Sequence, residues 1–355
     1  MPSSLYIHLP FCKTKCPYCD FASFTPQVNS AYEAYFQALE NEIDFRMQNS
    51  IDKEKMPLKT IFFGGGTPSI HSAQELQRVF DVLSKYFAFD ESTEITLEAN
   101  PGTVDEQKLL DFKSLGINRL SLGVQTFDEE LIGYLARGHS VAEAKEVIEL
   151  VSRLGFNSWS IDLIYGLPHQ SFEQWQETVK QALEFEPPHV SSYALSIEAN
   201  TPFGSIYKNS QHEDLPIEET VVKMYNYLNK SLEANNIKRY EISNWALRGH
   251  EAQHNLCYWQ AQEYYAFGLS AHGYVDSKRY ANTRDLQEYI RDFSKPKASK
   301  EQKEGFTIRD LELEEFVTED KQLEEQIFLN LRLKSGLKLD AKIEEKINLT
   351  KLENF

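Results

Sequence analysis

The chain has 355 residues, of which 41% are hydrophobic and 26% charged, so it can bury a full core and form about two domains of roughly 150 residues. Its 54 acidic and 37 basic residues give a net charge of −17. This charge argues against non-specific nucleic-acid binding and against a polybasic membrane surface.

The first 200 residues alternate between strand-like and helix-like segments. Strands are predicted at 5–9, 60–63, 94–98, 119–124, 158–164 and 190–197. Helices are predicted at 29–48, 73–87, 109–115, 142–154 and 172–185. Such alternation implies parallel strands joined by right-handed crossovers. The sequence therefore predicts an α/β fold, a partial (β/α)6 barrel, with a doubly wound sheet as the alternative.

Polar residues and glycines recur where the predicted strands end. The positions are Cys12, 64–66, Glu98, Gln125 and Asp162. Active sites of βα barrels collect at the rim formed by the carboxyl ends of the strands. The convergence of these positions favours the barrel over the doubly wound sheet.

The pattern changes after residue 200. A helix is expected at 216–233, a strand at 238–242, a structured loop at 253–273 and a lysine-rich linker at 294–303. The acidic stretch 310–325 begins a further helix that ends before Gly336. Its run of charges at 312–315 indicates a solvated face. A last helix is expected to reach Phe355. The predicted domains are a partial barrel over 1–200, a barrel extension over 201–293, and a linker with a smaller α-rich C-terminal region over 294–355.

Three of the four cysteines form the motif Cys12-x3-Cys16-x2-Cys19. A secreted disulfide framework would spread its cysteines along the chain, so this cluster indicates a metal or cluster site in a reducing compartment. Zinc is the alternative, but it prefers paired C-x2-C arms and four ligands, and Cys257 is distant in sequence. Three thiolates suit three irons of a [4Fe–4S] cluster and leave the fourth iron open.

The segment 64–69, Gly-Gly-Gly-Thr-Pro-Ser, follows the second predicted strand. Glycines at such a place let the backbone approach a ligand closely and form a small anion-binding nest. Taken alone, the segment is equally consistent with a tight turn. It is not a P-loop, because no Gly-Lys-Ser/Thr follows.

No targeting segment precedes the first strand, and no apolar run approaches the roughly 18–20 residues of a membrane span. The sequence therefore predicts a cytoplasmic protein without a membrane span.

The cysteine motif, with Tyr18 directly before the third cluster position, resembles the radical S-adenosylmethionine (radical SAM) superfamily. The resemblance implies that Cys12, Cys16 and Cys19 ligate a [4Fe–4S] cluster whose open iron is chelated by S-adenosylmethionine. Reductive cleavage of that cofactor gives a 5′-deoxyadenosyl radical in the superfamily, and the protein binds, orients and shields it.

Five segments narrow the resemblance to the oxygen-independent coproporphyrinogen III oxidase subgroup: 6–12, 97–101, 122–127, 137–139 and 161–168. The similarity covers about residues 5–335. It implies an S-adenosylmethionine site in which Tyr6 packs near the cluster. The methionine moiety is held by Gly65, Gly66 and Thr67. The amino, carboxylate and ribose groups are held by Glu98, Gln125, Arg137 and Asp162. The chemistry agrees, because carboxylates suit an ammonium and hydroxyls, and arginine suits a carboxylate. Singly, each could be an ordinary polar rim residue.

Two features depart from coproporphyrinogen III dehydrogenase itself. That enzyme has a further cysteine two residues after the last cluster cysteine, where this chain has Phe21. It also has a long segment before its cluster motif, whereas here the motif begins at Cys12. Both departures argue against oxidative decarboxylation.

The segment 254–259, His-Asn-Leu-Cys-Tyr-Trp, resembles the His-Asn-x-x-Tyr-Trp motif of the HemW-type heme chaperones. The resemblance implies heme binding, with His254 as the candidate axial ligand, since neutral imidazole is a good iron ligand and aromatic rings pack against porphyrins. The alternatives are a structural histidine or a pair of His254 with Cys257 that binds another metal. No role is assigned to Cys257.

The resemblance thus implies a heme chaperone that passes heme to an acceptor protein and takes electrons for its cluster from a donor. The rival hypothesis is an enzyme, coproporphyrinogen III dehydrogenase, and a third is a radical SAM enzyme with another substrate. Family members extend past the equivalent of Phe355 into a small helical domain, so the resemblance also implies a shortened or incomplete chain.

Overall fold

The computed structural model describes residues 2–25, 30–48, 54–208, 212–295, 313–339 and 343. The strands in this part of the chain are β1 (Ser4–Leu9), β2 (Met56–Pro57), β3 (Thr60–Gly65), β4 (Phe87–Ala88), β5 (Glu94–Ala99), β6 (Arg119–Gln125), β7 (Ser158–Tyr165), β8 (His189–Ala194), β9 (Lys238–Glu241), β10 (Asn244–Ala246), β11 (Tyr265–Phe267), β12 (His272–Val275), β13 (Lys278–Ala281) and β14 (Leu313–Phe316). The α-helices are α1 (Ser30–Met47), α2 (Ala73–Leu83), α3 (Glu106–Ser114), α4 (Glu129–Tyr134), α5 (Val141–Leu154), α6 (Phe172–Glu184), α7 (Pro202–Ile206), α8 (Glu218–Ala234), α9 (Gln253–Trp259), α10 (Leu286–Phe293) and α11 (Glu319–Asn330).

The six predicted strands form one parallel array in the order β1-β3-β5-β6-β7-β8. The strand order follows the chain order without a reversal, which is typical of a barrel and not of a doubly wound sheet. Strand β11 extends the array in parallel beside β1, while β10 and β9 extend it antiparallel beside β8. The two edges of this nine-stranded sheet are β11 and β9, so the barrel is partial, as predicted.

Side chains alternate across this sheet and separate a helix-facing core from a barrel interior. In β5, for example, Ile95 and Leu97 are buried on the helix side, whereas Thr96 and Glu98 face the interior cavity. Capping boxes fix the starts of the covering helices α2, α5 and α6, as the Ser/Thr-x-x-Glu/Gln pattern favours. The parallel array brings all six carboxyl ends to one rim of the barrel.

A fully buried polar network ties the end of the barrel sheet to helices α1 and α10. In α1, Arg46 Nε donates to Glu42 Oε1 at 2.8 Å, and both side chains are 0% exposed. Glu42 also accepts bonds from the Gly268 amide, the Tyr289 hydroxyl and the Asn282 side chain. The Glu42 carboxylate therefore accepts hydrogen bonds from α1, from α10 and from the residues that follow β11 and β13.

The structure corrects the prediction of a loop over 253–273, because α9 and β11 lie within it. Helix α9 has seven residues, too few to show a helical period, and no side-chain cap of its own. Instead, the Glu94 carboxylate accepts the amides of Gln253 and His254 at 3.1 and 3.0 Å. A cap supplied from a distant strand is invisible to local sequence patterns.

The helix predicted to begin within 310–325 is present, but the structure corrects its start. Residues Leu313–Phe316 form β14, which pairs with β13, and the helix α11 begins at Glu319 after a Thr318 cap. The smaller C-terminal region is therefore not only helical, since its strand β14 joins β12 and β13 in a three-stranded sheet. The predicted linker after Lys295, the start of the acidic run and the last helix near Phe355 lie outside the described residues.

None of the helices in the described ranges combines the length and the apolar character needed to cross a bilayer.

A candidate cofactor site at the mouth of the barrel

A cavity of about 630 Å³ opens at the rim formed by the carboxyl ends of the strands. Ten of the residues predicted from the sequence line it: Cys12, Cys16, Cys19, Gly65, Gly66, Thr67, Glu98, Gln125, Arg137 and Asp162. The structure thus brings together residues that lie up to 150 positions apart in the chain. Tyr6 and His254 are not among the lining residues.

The cysteine loop follows β1 and is fixed at both of its ends. The Cys12 amide donates to the Phe24 carbonyl at 2.9 Å, and the Phe24 amide donates to Pro10 at 2.7 Å. Burial raises the pKa of the Cys12 and Cys19 thiols. The Thr67 hydroxyl, 3.4 Å from the Cys12 sulfur, opposes that shift and stabilises the thiolate that a metal requires.

Cys12, Cys16 and Cys19 all line the cavity as free thiols. Three thiolates in one loop are the ligand set of a [4Fe–4S] cluster that keeps one iron open. The described residues contain no group of three or more His, Cys, Asp or Glu side chains that could share one metal ion.

The glycine turn packs directly against the cysteine loop. A Cβ on Gly66 would lie 2.6 Å from the Phe11 carbonyl oxygen, and Gly65 has a φ of +115°. The amides of Gly65, Gly66 and Thr67 already donate to Glu98, Leu9 and Phe11. The sequence-based idea of an anion-binding nest is therefore wrong, because no amide of these three is left for an anion.

Two carboxylates face the cavity from β5 and β7. Burial and then the nearby Asp162 raise the pKa of Glu98, the Gly65 amide opposes both effects, and the net value is about 7. Burial also raises the pKa of Asp162, although hydroxyl donors from Ser121 at 2.5 Å and Ser160 at 2.8 Å oppose the shift. Such a pair attracts a cationic ligand, because a nearby positive charge favours both ionised forms.

Gln125 and Arg137 complete the rim. Gln125 ends β6 with a φ of 72°, beside an irregularity in the β6–β7 register, and this left-handed conformation is a strained one that clusters at functional sites. Arg137 donates through Nη2 to the Gly123 carbonyl at 2.8 Å, and its Nη1 lies 3.4 Å from the Cys16 sulfur. One arginine therefore links the cysteine loop to the end of β6.

Tyr6 is connected to the cysteine loop through His8. Its hydroxyl donates to His8 Nδ1 at 3.0 Å, because Nε2 must donate to the Ala22 carbonyl at 2.9 Å. Burial lowers the pKa of His8 to about 4, so the ring is neutral, as this arrangement requires. The pair ties β1 to the end of the cysteine loop.

His254 lies deep under the barrel, 1% exposed and stacked on Phe62 with 5.1 Å between ring centroids. Its Nδ1 is 2.8 Å from the Thr60 hydroxyl and its Nε2 is 2.7 Å from the Tyr258 hydroxyl. Burial lowers the pKa of His254 to about 3, which keeps the imidazole neutral. Both ring nitrogens thus already have a partner within the protein.

The segment 250–254 closes the barrel at the end opposite the cysteine loop. Four contacts join it to the first residues of β3, β5, β6 and β7. They are His254 with Thr60, the Gln253 and His254 amides with Glu94, the His250 carbonyl with Arg119, and His250 Nδ1 with Ser158. This segment and the start of α9 form the floor of the barrel.

Sequence reasoning missed further residues that line the cavity: Phe62, Thr96, Arg119, Ser121, Ser160, His189, Ser191 and Tyr193. A signal for them exists. Buried parallel strands usually read as continuous apolar runs, whereas β5, β6 and β7 have polar residues at alternate positions, the ones that face the interior. That alternation marks a polar barrel interior.

The chain is similar in sequence to a known protein family and to known proteins. Residues 6–182 match the family model of the radical SAM superfamily. The heme chaperone HemW of Bacillus subtilis (strain 168) is 37% identical over 94% of this chain and 84% of its own length. HemW of Escherichia coli (strain K12) is 41% identical over 77% of this chain and 70% of its own length.

Among solved structures, the E. coli coproporphyrinogen III oxidase HemN, described as a radical SAM enzyme, matches with a TM-score of 0.81. The match covers 99% of this chain and 80% of that one at 22% identity. It shows a shared fold.

Proposed function

The chain belongs to the radical SAM superfamily and, within it, to the family of HemW heme chaperones, and from this premise we propose that it binds heme and transfers it to acceptor proteins. The similarity to the B. subtilis chaperone over 84% of that protein carries the proposal. The family implies a [4Fe–4S] cluster and S-adenosylmethionine, and the cavity holds the thiols and polar groups that suit both. When bound, this pair supplies one-electron chemistry.

We assign the residues of the mouth as follows. Cys12, Cys16 and Cys19 ligate the cluster. Among the lining residues, Gly65, Gly66 and Thr67 border the methionine moiety, and Glu98, Gln125, Arg137 and Asp162 hold its charged groups and the ribose. Tyr6 supports the site from below through His8.

The Glu98 assignment predicts a pH-dependent affinity. Because the pKa of Glu98 in the free protein is raised to about 7, the carboxyl must lose a proton to pair with the cationic cofactor. We therefore expect the affinity for S-adenosylmethionine to rise with pH up to about pH 7, by at most about tenfold per unit, and then to level off. Equilibrium dialysis at a series of pH values measures this. Glu98→Gln should flatten the profile, and an equally steep profile in that variant would contradict the assignment.

For heme, we propose Nε2 of His254 as the axial ligand. The nitrogen is bonded to the Tyr258 hydroxyl, so heme binding requires that bond to break and α9 to shift. An anaerobic heme titration of the cluster-reconstituted protein, followed by Soret absorption, should show saturable binding. His254→Ala should weaken the binding or change the spectrum.

Tyr258→Phe is the matched variant, since it frees Nε2 and keeps the ring that packs on Tyr264. Loss of one competing hydrogen bond should tighten heme binding about two- to tenfold. Unchanged heme affinity in both variants would give His254 a structural role and move the heme site elsewhere. Absence of saturable heme binding in the wild type would refute the chaperone function itself.

The rival enzyme function is distinguished by an activity assay. Phe21, at the position where coproporphyrinogen III dehydrogenase has a further cysteine, borders the cavity and is 67% exposed. We expect no anaerobic conversion of coproporphyrinogen III to protoporphyrinogen. Efficient conversion would refute heme transfer as the sole function.

We further propose a cytoplasmic location and an electron donor for the cluster. All four cysteines are free thiols, and three of them face the cavity. Free thiols at an open cavity persist in a reducing compartment.

A further inference from the structure

The lower part of the cavity, between Asp162 and the barrel floor, has polar walls that the cofactor site does not use. Its lining residues in adjacent strands are Thr96 in β5, Arg119 in β6, Ser160 in β7 and His189 in β8. The strand register pairs Thr96 with Arg119 and Ser160 with His189, so these side chains stand next to each other around the barrel. We name this part of the cavity the floor chamber.

Two polar atoms of the floor chamber have no partner among the described residues. They are Thr96 Oγ1 and His189 Nδ1, and each side chain is only 1% exposed. A buried polar atom without a partner is destabilising, so two in one cavity indicate a group that the protein alone does not supply.

The unpartnered nitrogen of His189 is a donor. The Ala252 amide donates to the Tyr240 hydroxyl oxygen at 3.2 Å, which leaves the Tyr240 proton for His189 Nε2 at 2.9 Å. Burial and the charge of Arg119 hold the pKa of His189 well below its usual range, so the ring is neutral. A neutral ring that accepts at Nε2 carries its proton on Nδ1.

Arg119 supplies the charge. Both hydrogen bonds that it makes in the described part of the chain use Nη1, to Ser158 at 2.7 Å and to the His250 carbonyl at 3.0 Å. The remaining edge of its guanidinium therefore stays available to the chamber. Asp162 above is engaged by the hydroxyls of Ser121 and Ser160.

We propose that the floor chamber is a second ligand site, distinct from the cofactor site, which binds the carboxylate of a small organic acid or of a carboxylate side arm. Arg119, His189 and Thr96 present donors to it, and donors with one cation suit a carboxylate. The site does not depend on heme binding, and it places an organic acid below the S-adenosylmethionine site.

Propionate is the probe, and Thr96→Val is the test variant. Valine matches the shape of threonine and suits a strand, and the deleted hydroxyl has no partner among the described residues, so the fold should be retained. Binding of propionate to the cluster-reconstituted protein is followed by saturation-transfer NMR. The variant should lose about tenfold in affinity or more, the value of one hydrogen bond to a charged group.

Ser192→Ala is the matched control. Ser192 lies on the same strand as His189, is equally buried and also has an unpartnered hydroxyl, but it does not line the cavity. Its loss should leave propionate binding unchanged.

Three outcomes would overturn the proposal. They are no propionate binding to the wild type, equal binding by wild type and Thr96→Val, and binding of propionamide as tight as that of propionate. The last would show that the chamber takes a neutral acceptor group. None of them bears on the heme titration.

Discussion

Replacing Cys16 with alanine is expected to abolish cluster assembly. Cys16 is buried in the loop between β1 and α1, and Arg137 Nη1 lies 3.4 Å from its sulfur. Two remaining thiolates cannot hold three irons, so the iron content after anaerobic reconstitution should fall from about four atoms per chain to less than one. Iron and sulfide analysis, together with the visible absorption of the cluster, measures the loss.

Cys257→Ala is the control for this experiment. Cys257 is also buried, but it lies in α9, away from the cavity. Its replacement should leave iron and sulfide content unchanged. A Cys16→Ala protein that keeps its full iron content would refute the cluster assignment, and loss of iron in both variants would point to misfolding or to a different ligand set.

Arg46→Met is expected to lower the free energy of unfolding by about 3–5 kcal/mol, the effect of leaving one member of a buried ion pair without its partner. Methionine fills a similar volume, so the loss arises from charge and hydrogen bonding more than from a cavity. The variant also removes the bond from Arg46 Nη2 to Asn282, so the network around Glu42 is broken at two points. Urea unfolding of the cluster-free protein measures the change.

Arg78→Met provides the comparison. Arg78 pairs with Glu33 and Glu40, but its side chain is 30% exposed, and such a pair is worth about 0–1 kcal/mol. Each variant removes one positive charge, Arg46 from α1 and Arg78 from α2, and the two side chains differ in burial. Equal unfolding energies would show that the buried network contributes no more than a surface pair.

The sequence predicted the six parallel strands because each is a short apolar or alternating segment that ends at a polar or glycine residue. It also predicted which residues converge at the mouth, since parallel strands bring their carboxyl ends to one rim. Local patterns worked wherever the stabilising partner was local, as in the capping boxes of α2 and α5.

Prediction failed where the partner was remote. Helix α9 is capped by Glu94, roughly 160 residues away in the chain. Strand β14 has an acidic sequence that suits a solvated helix, and only its pairing with β13 makes it a strand. Likewise, nothing in the local sequence reveals that the amides of the glycine turn are already bonded within the protein.

The floor that the segment 250–254 forms has a kinetic consequence. This segment contacts the first residues of four consecutive strands, so it closes the lower end of the chamber. In the arrangement proposed above, S-adenosylmethionine occupies the mouth at the other end, and we therefore expect the deeper ligand to bind before the cofactor and to leave after it. Binding and trapping experiments with the two ligands added in either order should reveal this sequence.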